Sequence, residues 1–194
     1  MSYHRLLVVL LALFAFQSAS AAEGLSYTHV TVGYNNLEFG GDEDFNGYSF
    51  ALSLRTSENN YLFASTTDLD SDDEDEIAGE EVNVSSTRLG FGIIFGINDA
   101  LDINGTVAFV NQDGDDALDI ADDDGFEIGV GVRSLVGERF ELGGSITHQN
   151  LNDVTATNFE AYGRYFVRSA ISAGLTYQDA DDISGPSFDI RIDF

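Results

Sequence analysis

Pro186-Ser-Phe-Asp-Ile-Arg-Ile-Asp-Phe194 closes the chain, and apolar and polar residues alternate along it without a break. Phe188, Ile190, Ile192 and Phe194 fall on one face; Ser187, Asp189, Arg191 and Asp193 fall on the other. A period of two marks a β-strand, because successive side chains point to opposite faces. Nine further stretches read the same way: Leu25–Tyr34, Phe45–Arg55, Tyr61–Thr67, Val82–Phe95, Leu101–Asn111, Gly125–Val136, Phe140–Gln149, Asn158–Phe166 and Ile171–Tyr177. Tyr48/Phe50/Leu52/Leu54 and Phe126/Ile128/Val130/Val132 alternate most cleanly, and Tyr61–Thr67 carries the weakest signal.

The connections alternate too. Thr56–Asn60, Ile97–Ala100, Gly137–Arg139 and Val167–Ala170 are short. Asn35–Asp44, Asp68–Glu81, Gln112–Asp124, Asn150–Thr157 and Gln178–Pro186 are longer, and together they hold two dozen acids and no basic residue. Short turns at one end and long loops at the other are the pattern of a transmembrane antiparallel up-and-down β-barrel, whose strands need about 9–11 residues to cross. Ten strands put both termini on the short-turn side. An eight-stranded barrel is the alternative, with Tyr61–Thr67 and one neighbour as loop. A soluble sandwich or barrel would show the same period with its apolar face inward.

The rest of the composition is consistent with this all-β reading. The single proline, Pro186, stands where the last strand begins, and a closed barrel has no edge strand on which to place another. The chain lacks cysteine, so disulfides and thiolate chemistry are excluded. The 15 Phe and 8 Tyr suit aromatic girdles at membrane interfaces. A net charge of −26 with no lysine excludes nucleic acid as a partner, since phosphate binding needs a basic footprint. A hydrophobic content of 43% argues against disorder outside the loops.

At the amino end, Arg5, the apolar run Leu6–Phe16 and Ala19-Ser20-Ala21 match a cleaved signal peptide. The expected organisation is a signal peptide at 1–21 and one barrel domain at 22–194. No later stretch approaches the roughly 20 apolar residues of a transmembrane helix, so membrane entry requires a closed barrel.

A strand that runs to a terminal aromatic resembles the closing strand of bacterial outer-membrane barrels. Ala22-Glu-Gly-Leu-Ser-Tyr27, Gly33-Tyr34, Phe126-Glu-Ile-Gly-Val-Gly-Val-Arg133 and Gly185-Pro186 look like the small barrels of the Ax type known from plant-pathogenic bacteria. More broadly the chain is similar to the OmpX/OmpA transmembrane-domain group. The resemblance implies an outer-membrane location with the loops extracellular, outer-membrane lipid and lipopolysaccharide as surroundings, and a role in adhesion, envelope integrity or signalling. It also implies that Phe188, Ile190, Ile192 and Phe194 belong to the signal read by the barrel-assembly machinery. The surface partner is not named by any motif.

If the apolar face meets lipid, the other face lines the lumen. The lumen set then includes Arg88, Asp102, Glu127, Arg133, Glu141, Glu160, Arg164, Asp189 and Arg191, with Gly90, Gly92, Gly129, Gly131 and Gly143 interleaved. Charges in a narrow lumen are costly unless paired. Both signs are present, so an ion-pair network that plugs a small barrel is expected. A small cation-selective channel or porin with a charged constriction is the alternative.

The acids Asp68, Asp70, Asp72, Asp73 and Asp75, and Asp113, Asp115, Asp116, Asp122, Asp123 and Asp124, suit weak association with Ca²⁺ or Mg²⁺, both oxygen-seeking ions. A specific calcium loop is not expected: Asp73 stands where its sharp-turn glycine belongs and Gly79 where its bidentate glutamate belongs. No other cofactor is expected.

Catalysis has no constellation. His148 falls on the lipid-facing set and is followed by Gln149 and Asn150, while Ser145 lies on the opposite face and His29 on the lumen set. Carboxylates in a flexible loop lack the fixed, desolvated setting of an acid–base pair. The chain is read as non-enzymatic.

Overall fold

The computed structural model describes residues 25–40, 43–71, 82–114, 123–152, 155–181 and 183–194. The expected signal peptide, and Asp72, Asp73, Asp75, Asp115, Asp116 and Asp122, lie outside them. Ten antiparallel strands form one closed barrel: β1 (His29–Phe39), β2 (Glu43–Ser57), β3 (Asn60–Ser71), β4 (Asn83–Asn98), β5 (Leu101–Gly114), β6 (Asp123–Val136), β7 (Phe140–Leu151), β8 (Thr155–Arg168), β9 (Ile171–Ala180) and β10 (Ile183–Asp193). Each pairs with its chain neighbours, and β1 closes on β10 from His29↔Asp193 to Phe39↔Ile183. The eight-stranded alternative is set aside, because β3 pairs along its length with both β2 and β4.

The barrel is turned inside out relative to a soluble protein. Leu89 and Ile128 are 63% and 60% exposed on the outer wall, whereas Glu127 and Glu141 are 1% and 0% exposed within. An outer wall of Val, Ile, Leu and Phe is what hydrocarbon accepts, and closure leaves no backbone group unpaired in it. Aromatic pairs mark both ends of this band. Tyr34 and Tyr48 pack edge to face at 5.4 Å, and Phe109 packs on Phe126 at 5.9 Å, on the loop side. Phe140 packs on Tyr165 at 5.1 Å on the turn side.

The strands run further than the sequence suggested. The connections of β1 to β2, β7 to β8 and β9 to β10 shrink to 40–42, 152–154 and 181–182. Most of the residues expected in these three loops therefore extend the wall above the band. Asp68, Asp70, Asp113, Asp123 and Asp124 likewise sit in strands. Above the line formed by Asn36, Asn46 and Thr87 the alternation on β1–β4 changes phase. Leu37, Phe45, Leu69, Val82 and Val84 turn inward into a small core joined by Phe39 and Ile183. Glu38, Asp44, Asp68 and Asp70 turn outward. We call this upper section the crown. Its wall is drawn tight at Gly47, where a Cβ would meet Asp68 O at 1.9 Å, and at Gly185, whose φ of +155° favours glycine.

The lower mouth also departs from expectation. Leu25–Thr28 precedes β1 rather than belonging to it. Leu25 and Tyr27 are buried with Tyr61 and Ile94, and Phe63 and Leu135 pack on them. Ser53 Oγ donates to Tyr27 O at 2.7 Å and Arg133 Nη1 to Ser26 O at 2.9 Å, so the segment is tied into the barrel's end.

Candidate functional site: the lumen and the outer cup

Alternation delivers the lumen residues, and the closure of the sheet decides which of them meet. Glu141 on β7 is the hub. Its Oε1 accepts from Arg133 Nε at 3.0 Å and from Tyr162 Oη at 2.9 Å, and its Oε2 accepts from Arg191 Nη2 at 2.9 Å. β7 and β10 are not neighbours in the sheet, so the Arg191–Glu141 bond crosses the lumen. Arg191 Nε also lies 3.1 Å from Asp193 Oδ1, and the Arg133 guanidinium stacks 4.4 Å from the Tyr27 ring centroid. A buried carboxylate held by two guanidiniums and a hydroxyl has its desolvation cost offset by strong, aligned charge contacts.

Two further pairs stand higher in the barrel. Arg164 Nη1 lies 2.7 Å from Asp189 Oδ1, a charge contact without hydrogen-bond alignment. Arg88 on β4 bonds Glu127 on β6 across the intervening strand, and Gln149 Nε2 donates to the other oxygen of Glu127 at 2.9 Å. Glu160 faces the same space, opposite Gln178 and Ser145 in the ladders. Asp102 is half-buried, opposite Gly96 and Arg133.

Sequence reading missed Asp193, although it continues the face of Asp189 and Arg191. It also missed the inward aromatics. Tyr61 lies opposite Gly92, Phe63 opposite Gly90 and Tyr162 opposite Gly143. A Cβ on these glycines would meet the ring 2.1 to 2.3 Å away. Each ring thus lies over a glycine gap, an aromatic cover of a bare strand, and the pairing of glycine with aromatic on one parity was the available signal.

These side chains leave a cavity of about 350 Å³ in the lumen, lined by Arg88, Glu160, Tyr162 and Arg164 among others. Above it a cup of about 780 Å³ fills the crown, and Arg88 lines both. Below, the Glu141 hub and the Leu25–Thr28 segment stand across the mouth.

The remaining sequence-selected residues are dispersed. Asp68 and Asp70 point outward and each accepts from Asn83 Nδ2, at 2.7 and 2.9 Å. Asp123 Oδ1 accepts from Asn152 Nδ2 at 3.0 Å. Among the described residues no three acids or histidines converge as metal ligands. His29 Nδ1 lies 4.0 Å from Asp193 Oδ1. His148 faces outward against Thr157 Oγ1 at 3.0 Å, whereas Ser145 lines the lumen cavity. Phe188, Ile190 and Ile192 face lipid, about half exposed.

The outer membrane protein beta-barrel domain matches residues 6–178, and the chain belongs to that family. No curated protein sequence matches it. Among solved structures it is similar to the KdgM porin, at 7% identity and a TM-score of 0.53 over 84% of this chain and 99% of that one. It is equally similar to the NanC porin, at 10% identity and a TM-score of 0.53 over 85% and 98%. These likenesses are of fold. The family places the chain in the bacterial outer membrane as a transmembrane barrel.

Proposed function

We propose that this barrel is a closed, non-enzymatic component of the outer membrane, of the Ax and OmpX/OmpA kind, that acts through its outer crown in adhesion, envelope integrity or signalling. The observation that carries this reading is the Glu141 hub. It ties β6, β7, β8 and β10 together across the lumen, directly above a mouth occupied by Leu25 and Tyr27. An eight-stranded barrel is just wide enough for its own side chains; this ten-stranded one is wider, and at the hub its side chains are bonded to one another across it. The second reading is a small cation-selective channel. It is favoured by the lumen cavity and the cup, which share Arg88 in their linings, and by the porins among the structural neighbours.

Single-channel recording in a planar bilayer separates the two. Silence from the purified barrel supports the plug. A steady cation conductance, lowered by Glu127→Gln, supports the channel and removes the plug. We further infer that the acidic rim associates loosely with Ca²⁺ or Mg²⁺ and, through them, with neighbouring lipopolysaccharide. The carboxylates of Asp68, Asp70, Asp113 and Asp124 on the outer surface supply the oxygen ligands such ions prefer.

A further inference from the structure

We propose that the cup in the crown is a binding site for a neutral oligosaccharide presented at the cell surface. Its two walls differ in their main lining, with Leu151, Ala156 and Ala180 set among the carboxamides, Thr67 and Ser86 beside the apolar side chains, and Asp181 adding a carboxylate. On the β1, β3, β4 and β10 side Leu37, Phe39, Leu69, Val84 and Ile183 form an apolar wall. On the β5 and β7–β9 side Gln112, Gln149, Asn158 and Gln178 form a wall of carboxamides, with Asn35 joining from β1. A sugar ring has the same division, with C–H faces that lie on apolar surface and hydroxyls that both donate and accept. Carboxamides also donate and accept, and so match hydroxyls without a charge.

Three polar atoms of this lining are buried with no protein partner: Asn35 Nδ2, Asn158 Oδ1 and Arg88 Nε. A buried donor or acceptor left unpaired is costly; Asn35 and Asn158 each keep one such amide atom beneath the cup surface, and a side-chain rotation brings it to a hydroxyl of a bound sugar. The volume, about 780 Å³, lies within the roughly 300–1,000 Å³ of small-molecule sites.

Charge narrows the ligand class. Arg88 has its guanidinium committed to Glu127. The outer rim carries Glu38, Asp68, Asp70 and Asp113, which repel an anion on approach. An acyl chain would leave the carboxamides unpaired. A neutral saccharide meets both walls and neither obstacle. The site stands whether or not the lumen conducts.

Phe39→Trp would place a single tryptophan on the apolar wall, since the chain has none. The barrel, purified in a phosphocholine detergent so that no sugar headgroup competes, is titrated with maltotriose, cellotriose and chitotriose. Trigalacturonate serves as the anionic control. At least one neutral trisaccharide should give saturable tryptophan quenching, with a Kd of about 1 mM or tighter. Calorimetry on the unsubstituted barrel should give the same constant. Asn158→Leu and Gln178→Leu, each checked for folding by heat-modifiable gel migration, should weaken binding about tenfold. Trigalacturonate should bind more weakly than its neutral counterparts. The proposal is overturned if none of the three neutral sugars saturates the unsubstituted barrel by about 10 mM. It is equally overturned if the folded carboxamide variants bind undiminished, or if trigalacturonate binds best.

Discussion

Below the line of Asn36, Asn46 and Thr87 the strands bury charge and present hydrocarbon; above it β1–β4 bury hydrocarbon and present carboxylates. The same ten strands run through both sections with one hydrogen-bonded ladder. The difference is one of phase. On β1, Val32 and Tyr34 point out, then Asn35 and Asn36 follow in succession, and Leu37 and Phe39 point in. Two consecutive polar residues shift the apolar residues from one parity to the other, and one strand then meets two solvents on its outer face. The lower section is held by ion pairs across a narrow lumen and the upper one by an apolar core.

Breaking the lower section where its charges converge should have the largest effect. Glu141→Leu leaves Arg133 and Arg191 buried without their shared carboxylate, at a cost of about 3–5 kcal/mol. Urea titration in detergent or bilayers should show a corresponding drop in midpoint. The second test exchanges the solvents. Val130→Arg, in the middle of the lipid-facing row of β6, should cost roughly 2–4 kcal/mol of folding into bilayers. Asp124→Arg, further up the same face of the same strand but in the crown, should cost less than about 0.5 kcal/mol. Equal costs would erase the boundary. Third, Val84→Ala in the crown core should cost roughly 1–2 kcal/mol, and the loss should appear in the aqueous crown. Protease cleavage near 69–83 should rise while the lower barrel keeps its heat-modifiable shift.

The smallest effect concerns the acidic rim. Carboxylates repel within one screening length, about 8 Å at physiological salt, and divalent ions bridge them more effectively than screening does. Millimolar Ca²⁺ should slow proteolysis within 68–81 and 112–124, and NaCl at matched ionic strength should do little. Equal protection by both salts would mean screening alone, and would remove the cation association.

The sequence was most readable where one solvent rules. β10 and β6 followed from alternation because lipid outside and charge inside hold one parity for most of each strand. β3 gave a weak signal because Ser65, Thr66 and Thr67 blur the contrast, yet Asn60–Ser71 is a full strand. Local periodicity assigns the crown to loop because its alternation resumes in the opposite phase, and a window that straddles the shift sees no period. Asn35–Asp44 is the plainest case: Leu37, Phe39 and Phe45 form the new inward row, and the acids between them looked like loop. The partners inside the lumen were beyond reach for another reason. Glu141 meets Arg191 through the interior, and that meeting depends on strand number and tilt, which no local pattern carries. Local alternation joins Leu25–Thr28 to β1 because its period agrees with the strand that follows. Its inward course depends on Ser53 and Arg133, both remote in sequence.

The seam between β1 and β10 carries more than backbone bonds. Phe194 N donates to Thr28 O at 3.1 Å, and two residues further in from Asp193 the last strand delivers Arg191 to Glu141. A chain still lacking β10 would therefore have two defects at once: an open edge at β1, and a glutamate held by only one of its two guanidiniums. Both are cured by the same event. The final strand therefore completes the wall and the hub together, since zipping the seam also seats Arg191 on Glu141.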